Sequence, residues 1–408
     1  MTDQTWGVLT ISFCSICFIL SYSYKRKGNY TVAVMLLMLG GFALRIFTSA
    51  DFFLHPWDEV YHAVVAKHMM THPLAPMLYD TPVLPYAYEN WTSNHIWLHK
   101  QPLPLWTMAA SMYIFGVNEI ALRLPSVILT TIGIWLTFYI GSYFFNKKVG
   151  YLAAFFYSVN GLIIEMAAGR VPTDHVDVFF LFFIELAIFF SIRFSQKQNT
   201  FYNICAGLSL GAAILSKWLP GLIVLPIWLL IIIDSRRFST RQIIIHFSIL
   251  LSIMILISLP WQLYIYHSFP LEANAAANSN VQHIFEVLDN QGGAFYYYLD
   301  KIRINYGELV YLPLLWFTYI LGKGFKNFKF LAIGVWIIIP VSFFSLIKTK
   351  MQGYILFASP AIFIITAAFC FWLMDYKQQL KAEKQYQVQL KWGLNLILLL
   401  FILLPIRY

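Results

Sequence analysis

The sequence predicts an all-α polytopic membrane protein, and three observations predict it. Of 408 residues, 59% are hydrophobic and 12% are charged, with a mean hydropathy of +0.66. Apolar runs of about 17–20 residues, the length that crosses a hydrocarbon core, recur along the whole chain. The connections between them alternate between basic and non-basic, as they do in a chain threaded back and forth through a bilayer. No loop is expected to be long enough to bury a core of its own, so residues 1–408 read as a single integral membrane module.

Taken in order, the predicted spans begin with Trp6–Tyr24, which lacks the basic start and small-residue cleavage site of a signal peptide. Lys25-Arg26-Lys27 follows, then Thr31–Ser49. Further spans fall near Ser126–Phe145, Val149–Met166, Val176–Phe194, Asn203–Ser216 and Trp218–Ile233. Gln242–Leu259, Glu308–Leu321, Lys329–Leu346, Gly353–Met374 and Trp392–Pro405 complete a set of about twelve. The basic triplet is cytoplasmic by the positive-inside rule, and so are Lys147-Lys148, Arg193 with Lys197, Arg236-Arg237 with Arg241, the Lys323–Lys329 connection and the Lys377–Lys391 hairpin. That distribution accounts for the net charge of +9 without any nucleic-acid partner.

The acids gather on the other face. A first external loop covers residues 51–123 and a second covers 260–307, with short charged turns at Arg170–Asp174, Ser216-Lys217 and Lys348–Lys350. Within the first loop, Asp58–Met70 and Gln101–Phe115 read as helices lying in the membrane interface, since both are too short to span. Glu185 stands near mid-span, where an acid marks either a functional site or a partnered side chain. Cys14, Cys17, Cys205 and Cys370 all fall in apolar spans and read as small hydrophobes.

Asp58-Glu59, Ala63 and Met69, then Lys100-Gln101-Pro102-Leu103, Phe115–Glu119 and Arg123-Leu124-Pro125-Ser126 form an ordered set. It continues with Thr173-Asp174, Ser216-Lys217, Pro220-Gly221, Pro260-Trp261, Gln282-His283, Gly292–Tyr298, Lys350 and Tyr354-Ile355-Leu356. The set resembles the GT-C membrane glycosyltransferases, and among them the bacterial aminoarabinose (lipid A) transferases and the protein O-mannosyltransferases. The resemblance implies a GT-C fold and a sugar transfer from a polyprenyl-phosphate donor to a lipid, protein or glycan acceptor, usually with inversion. It also implies an extracytoplasmic active face, in a bacterial inner membrane. The alternative reading is a transporter or flippase of lipid-linked sugars, which would show more mid-span ionisable groups or an internal repeat.

By the same resemblance, Asp58 and Asp174 are the catalytic acids and Lys100 binds phosphate. Glu59, Arg170, Lys217, His283, Lys350 and Tyr354 are the further substrate-binding candidates. The residues suit that chemistry: a carboxylate takes the acceptor's proton, and cations meet the charge gathering on the departing phosphate. Asp58 and Asp174 also suit helix N-caps, and Lys100 can simply snorkel. His99 and His283 are candidate ligands for a divalent metal such as zinc, given a third ligand such as Glu59 or Glu286; no other cofactor is expected, and no Asp-x-Asp motif is present. Tyr61, His62, Val64 and His99 depart from the family pattern where headgroups would be read. The chain stops at Tyr408, so the soluble C-terminal domain of the aminoarabinose transferases is expected to be lacking. Tyr86, Tyr88, Trp91, Trp97, Trp106 and Tyr296–Tyr298 serve either as interfacial aromatics or as sugar-stacking surfaces, and Asn90-Trp91-Thr92 matches a glycosylation sequon.

Overall fold

A computed structural model describes residues 3–83, 86–172, 174–324, 327–380 and 385–403. Thr173, Lys326, Pro405 and the side chain of Asp174 lie outside the described residues. In chain order the helices are α1 (Asp3–Arg26), α2 (Tyr30–Thr48), α3 (Asp58–Met69), α4 (Pro102–Phe115), α5 (Glu119–Phe144), α6 (Lys147–Val159) and α7 (Gly161–Ala167). Then come α8 (Asp174–Lys197), α9 (Thr200–Lys217), α10 (Val224–Ser235), α11 (Thr240–Ser268), α12 (Pro270–Phe285) and α13 (Tyr297–Tyr306). The last four are α14 (Tyr311–Lys323), α15 (Phe328–Leu346), α16 (Ser359–Gln379) and α17 (Gln385–Leu403).

Among the described residues, each apolar segment expected to span is largely helical. Among the described residues seven helices are long and apolar enough to cross a membrane, and the pair α6–α7, bent by 52°, makes an eighth. The segments under α9, α10, α14 and α17 fall short of that length or apolarity, so twelve crossings exceed what the helices alone establish. The bend has a local cause: Asn160 interrupts the helix, its Oδ1 accepting from Ile163 N and its Nδ2 donating to Asn305 O at 2.7 Å. A side chain that bonds the backbone of a new turn starts a new helix direction.

The bundle is ordered by how much of each helix is covered. α8 and α16 are enclosed, whereas α1 and α11 turn most of their surface outward. Close approach of α5 and α6 depends on glycine: a Cβ on Gly141 would stand 2.9 Å from the Gly150 Cα, the small-residue contact that lets membrane helices pack backbone to backbone. Glu185 is fully buried, and Thr137 Oγ1 donates to its Oε1 at 2.7 Å; the mid-span acid has a helix partner. Cys14 Sγ lies against Gly40 O at 3.2 Å.

Two expectations change. Residues 51–123 do bury a core of their own, in which Val65, Ala66, Met69, Trp97, Leu105, Met108 and Met112 join α3, α4 and the strap between them. And α11 continues through Pro260 to Ser268, so the segment expected to leave helix at Pro260 does so only at Phe269. A membrane helix tolerates the missing proline N–H where neighbours resolve the freed carbonyl.

Candidate active site

The strap that joins α3 to α4 folds back on itself through two antiparallel backbone bonds, Leu78 N to His95 O at 3.0 Å and Trp97 N to Pro76 O at 2.8 Å. This pins His99 and Lys100 opposite the start of α3. The Asp58 carboxylate, 2% exposed, lies there with Oδ1 3.6 Å from Lys100 Nζ. Asp58 is the first residue of α3 and Trp57 its cap, with φ 86° and no side-chain capping bond, so Asp58 is not the N-cap. Across the gap, α9 ends on Lys217, and Trp218 after it takes φ 72°. Left-handed backbone at two tryptophans is costly, and here it flanks the two residues that bring charge to the same space.

That space is a cavity of about 420 Å³. Asp58, His99, Lys100, Lys217, His283 and Tyr354 all line it, together with Trp57, Trp91 and Asp289. One side is apolar, formed by Ile265, Ala273, Ala276, Ala277 and Ile284 from α11 and α12 and by Phe343 and Phe344 from α15. The far wall is tied shut by backbone bonds from Lys348 N to Ile284 O and Thr349 N to His283 O, both 3.1 Å.

Three expected substrate ligands do not line the cavity, and each has another partner. Glu59 is fully buried behind it. Arg123 Nε reaches Glu59 Oε1 at 2.6 Å and Arg123 Nη2 reaches Oε2 at 2.9 Å, while His55 N donates to Oε2 at 2.6 Å. Burial alone would raise this carboxyl, but His175, Arg123 and the His55 N–H hold it down at about 2. Arg170 donates to Asp51 Oδ2 at 2.8 Å. Lys350, 3% exposed, turns its ammonium onto the carbonyls of Ser345 and Ile347, closing the C-terminus of α15. Asp174 begins α8, whose third turn-neighbour Asp177 was not expected at the site: it is 1% exposed and accepts from Lys217 Nζ.

His99 is stacked on Trp91 with centroids 4.4 Å apart. Burial and the Lys100 charge push its imidazole well below the usual range, and the same two causes lower His283. Both rings are therefore neutral at pH 7, yet among the described residues no three His, Cys, Asp or Glu side chains stand close enough to hold a metal ion. Of the other departures from the family pattern, Tyr61 lies parallel to Trp97, with centroids 6.2 Å apart, and His62 is buried between Trp97 and His175. Val64 lines a smaller cavity between α3 and the start of α5. Trp97 donates to Trp91 O and Trp106 to Pro73 O, so those indoles hold the strap. Asn90 Oδ1 accepts from Thr92 N and Oγ1, an Asx turn.

Gly169 ties this network to α7. Its φ is +74°, and a Cβ there would stand 2.2 Å from Glu59 Oε1. Gly169→Ala is therefore expected to destabilise the fold by about 1–3 kcal/mol, from the left-handed backbone and the displaced carboxylate together; thermal unfolding of the purified variant in detergent reads it.

Comparison with known proteins follows the same lines. The family described as dolichyl-phosphate-mannose-protein mannosyltransferase matches residues 99–261. An uncharacterized protein of Aquifex aeolicus (strain VF5) is 27% identical over 305 residues, covering 74% of this chain and 58% of that protein. Undecaprenyl phosphate-alpha-4-amino-4-deoxy-L-arabinose arabinosyl transferase 1 of Pseudomonas fluorescens (strain Pf0-1) is 24% identical over 292 residues, 65% of this chain and 48% of the other. The chain thus spans about half the length of the curated relatives it matches. Among solved structures, ArnT from Cupriavidus metallidurans bound to undecaprenyl phosphate superposes with a TM-score of 0.63 at 18% identity, over 90% of this chain and 70% of that one. The archaeal oligosaccharyltransferase AglB from Archaeoglobus fulgidus, in complex with an inhibitory peptide and a dolichol-phosphate, gives 0.57 at 13% identity, over 91% and 55%. The chain therefore shares the all-α polytopic membrane fold of these solved structures, and no single family is marked out.

Proposed function

We propose that this chain is a membrane glycosyltransferase that takes a sugar from a polyprenyl-phosphate donor and passes it, with inversion, to a lipid, protein or glycan acceptor. The reaction runs at the extracytoplasmic face of a bacterial inner membrane, which the chain crosses about twelve times with its basic connections inside. One observation carries the reading: a buried carboxylate, Asp58, 3.6 Å from the Lys100 ammonium in a cavity whose opposite wall is apolar. A phosphate-linked sugar on a prenyl chain has the matching parts, a polar reacting end and a long greasy tail.

Asp58 takes the proton of the acceptor hydroxyl as its oxygen attacks the anomeric carbon. The bond from that carbon to the phosphate oxygen breaks, and the electron pair leaves with the phosphate, which Lys100 and Lys217 meet as its charge grows. A single displacement from the face opposite the phosphate inverts the centre. The Tyr354 ring and His283 bound the sugar end, Asp174 supplies a second acid at the head of α8, and Arg170, paired with Asp51, is a further donor-binding candidate. Glu59 and Lys350 serve the site by holding α3 and the end of α15.

The test is mass spectrometry of products after incubating purified protein with a panel of polyprenyl-phosphate sugars and native membrane lipids. Free polyprenyl phosphate with sugar on a lipid, peptide or glycan is the expected result. Movement of intact lipid-linked sugar across vesicles with no carrier phosphate released would replace the enzyme by a transporter.

A further inference from the structure

Between α12 and α13 the chain makes a tight reversal at residues 288–291. Gln291 N donates to Leu288 O at 2.8 Å, and the two central residues, Asp289 and Asn290, take φ 51° and 58°. Positive φ at both centres with a closing bond is the pattern of a type I′ turn, which Asp and Asn tolerate better than other residues with a side chain. Turn chemistry thus accounts for a short polar residue here, but not for where the turn is held. Thr349 Oγ1 donates to Glu286 O at 2.8 Å and accepts from Leu288 N at 3.1 Å, and Lys350 N donates to Gln291 O at 2.8 Å. Both shoulders of the turn are fastened, and Asp289 at its apex lines the cavity.

Asp289 is exposed, and among the described residues its carboxylate makes no hydrogen bond or ion pair. It acts electrostatically on His283 and Tyr354, the two groups that bound the sugar end. Asn280 also lines the cavity, three residues before His283 on the same face of α12. An aromatic ring, an amide and a carboxylate turned to one space suit a hydroxyl-rich ligand, the ring meeting its C–H face and the polar groups its O–H bonds. A carboxylate accepts hydrogen bonds and donates none, so what it meets must present donors, and a second anion against it is repelled. Lys100 and Lys217 meet the phosphate, which leaves the sugar for Asp289. We propose that Asp289 is a specificity-determining residue: it accepts hydrogen bonds from hydroxyls of the transferred sugar, on the side of the ring turned away from the phosphate, and so selects a sugar without an acidic group over a uronic acid. This rests on the glycosyltransferase reading above and deepens it by naming the class of sugar.

The experiment measures binding by competition against labelled undecaprenyl phosphate in detergent, for purified wild type, Asp289→Gly and Asp289→Asn. The competitors are bare undecaprenyl phosphate and its glucose, galactose, mannose, arabinose, glucuronic acid and galacturonic acid conjugates, with sugar transfer assayed in parallel. Glycine and asparagine both keep the left-handed turn, so the loop is spared while the carboxylate is removed. Wild type is expected to bind at least one of the neutral conjugates more tightly than either uronic conjugate and than the bare carrier. Asp289→Gly should weaken that neutral conjugate by about 10- to 100-fold, the range for a hydrogen bond to a charged group, with the bare carrier unchanged. Asp289→Asn should narrow the preference over the uronic conjugates by about tenfold. The proposal is overturned if wild type favours a uronic conjugate or binds every conjugate no better than the bare carrier, or if Asp289→Gly binds the neutral conjugate as wild type does. An equal loss of conjugate and bare carrier in Asp289→Gly also overturns it, since that marks a structural role. Should the binding results hold in protein that transfers no sugar, the glycosyltransferase reading falls and sugar recognition by Asp289 stands; transfer with sugar dependence unchanged in Asp289→Gly has the opposite meaning.

Discussion

Asp58→Asn is expected to lower kcat by about 100- to 10,000-fold, the range for loss of a general base, while donor binding is retained or tightened. Asparagine keeps the shape of the side chain at the first position of α3 but neither takes a proton nor carries charge. Lys100, 3.6 Å away in the wild type, then has no carboxylate to hold it and is free for the phosphate. The signature is a collapse of kcat with KM unchanged or lower, and thermal stabilisation by added undecaprenyl phosphate at least as large as in the wild type. A helix-terminal acid acting only on the helix dipole contributes about 0.3–1 kcal/mol to stability and nothing specific to turnover. Transfer at the wild-type rate by Asp58→Asn would remove Asp58 from the reaction.

How far the sequence could be read differs from residue to residue, for physical reasons. Hydropathy located the long apolar helices of the bundle, because a lipid-facing or bundle-facing stretch must be apolar along its whole length, but it gave no sign of α12 and α13 within the expected loop 260–307. It missed the break at Asn160, where one side chain turns the helix without altering its apolar character. Asp58 and Glu59 are neighbours with opposite fates: successive residues on a helix point about 100° apart, so one carboxylate meets the cavity and the other turns to Arg123, 64 residues on. Composition does not say which is which. Asp177 had a readable signal, three residues after Asp174 on the same helix face, but its partner Lys217 stands on another helix, and only the packing of α8 on α9 joins them. Lys350 shows the converse: a lysine in a charged turn suggests an anion site, while its ammonium folds inward onto carbonyls that its own turn leaves open. His99 and His283 do reach one cavity from separate segments, as two outer-loop histidines can, but of the two third ligands considered for zinc, Glu59 and Glu286, Glu59 is committed to Arg123, His55 and His175.

That commitment carries the largest expected effect on stability. Arg123 is fully buried and makes bonds to Ser49 O, Asp51 O and Phe53 O as well as to both oxygens of Glu59, so it fastens α5 to the entry of α3 and thereby sets Asp58. Arg123→Met leaves a buried carboxylate without its guanidinium, and the cost expected is about 3–5 kcal/mol. Arg123→Lys does not restore it, since one ammonium cannot reach five acceptors arranged for a planar fork. The pH dependence follows from the depressed carboxyl. Glu59 falls from 4.5 to about 2 on folding, so its stabilising contribution, about 3 kcal/mol, is fully present above pH 4.5 and is lost as pH falls through 2. Thermal unfolding of wild type and Glu59→Gln in detergent between pH 3 and pH 7 tests this. The gap between the two should be constant above about pH 5 and narrow steadily below it; a gap that does not change with pH would mean that Glu59 is not held ionised by this network.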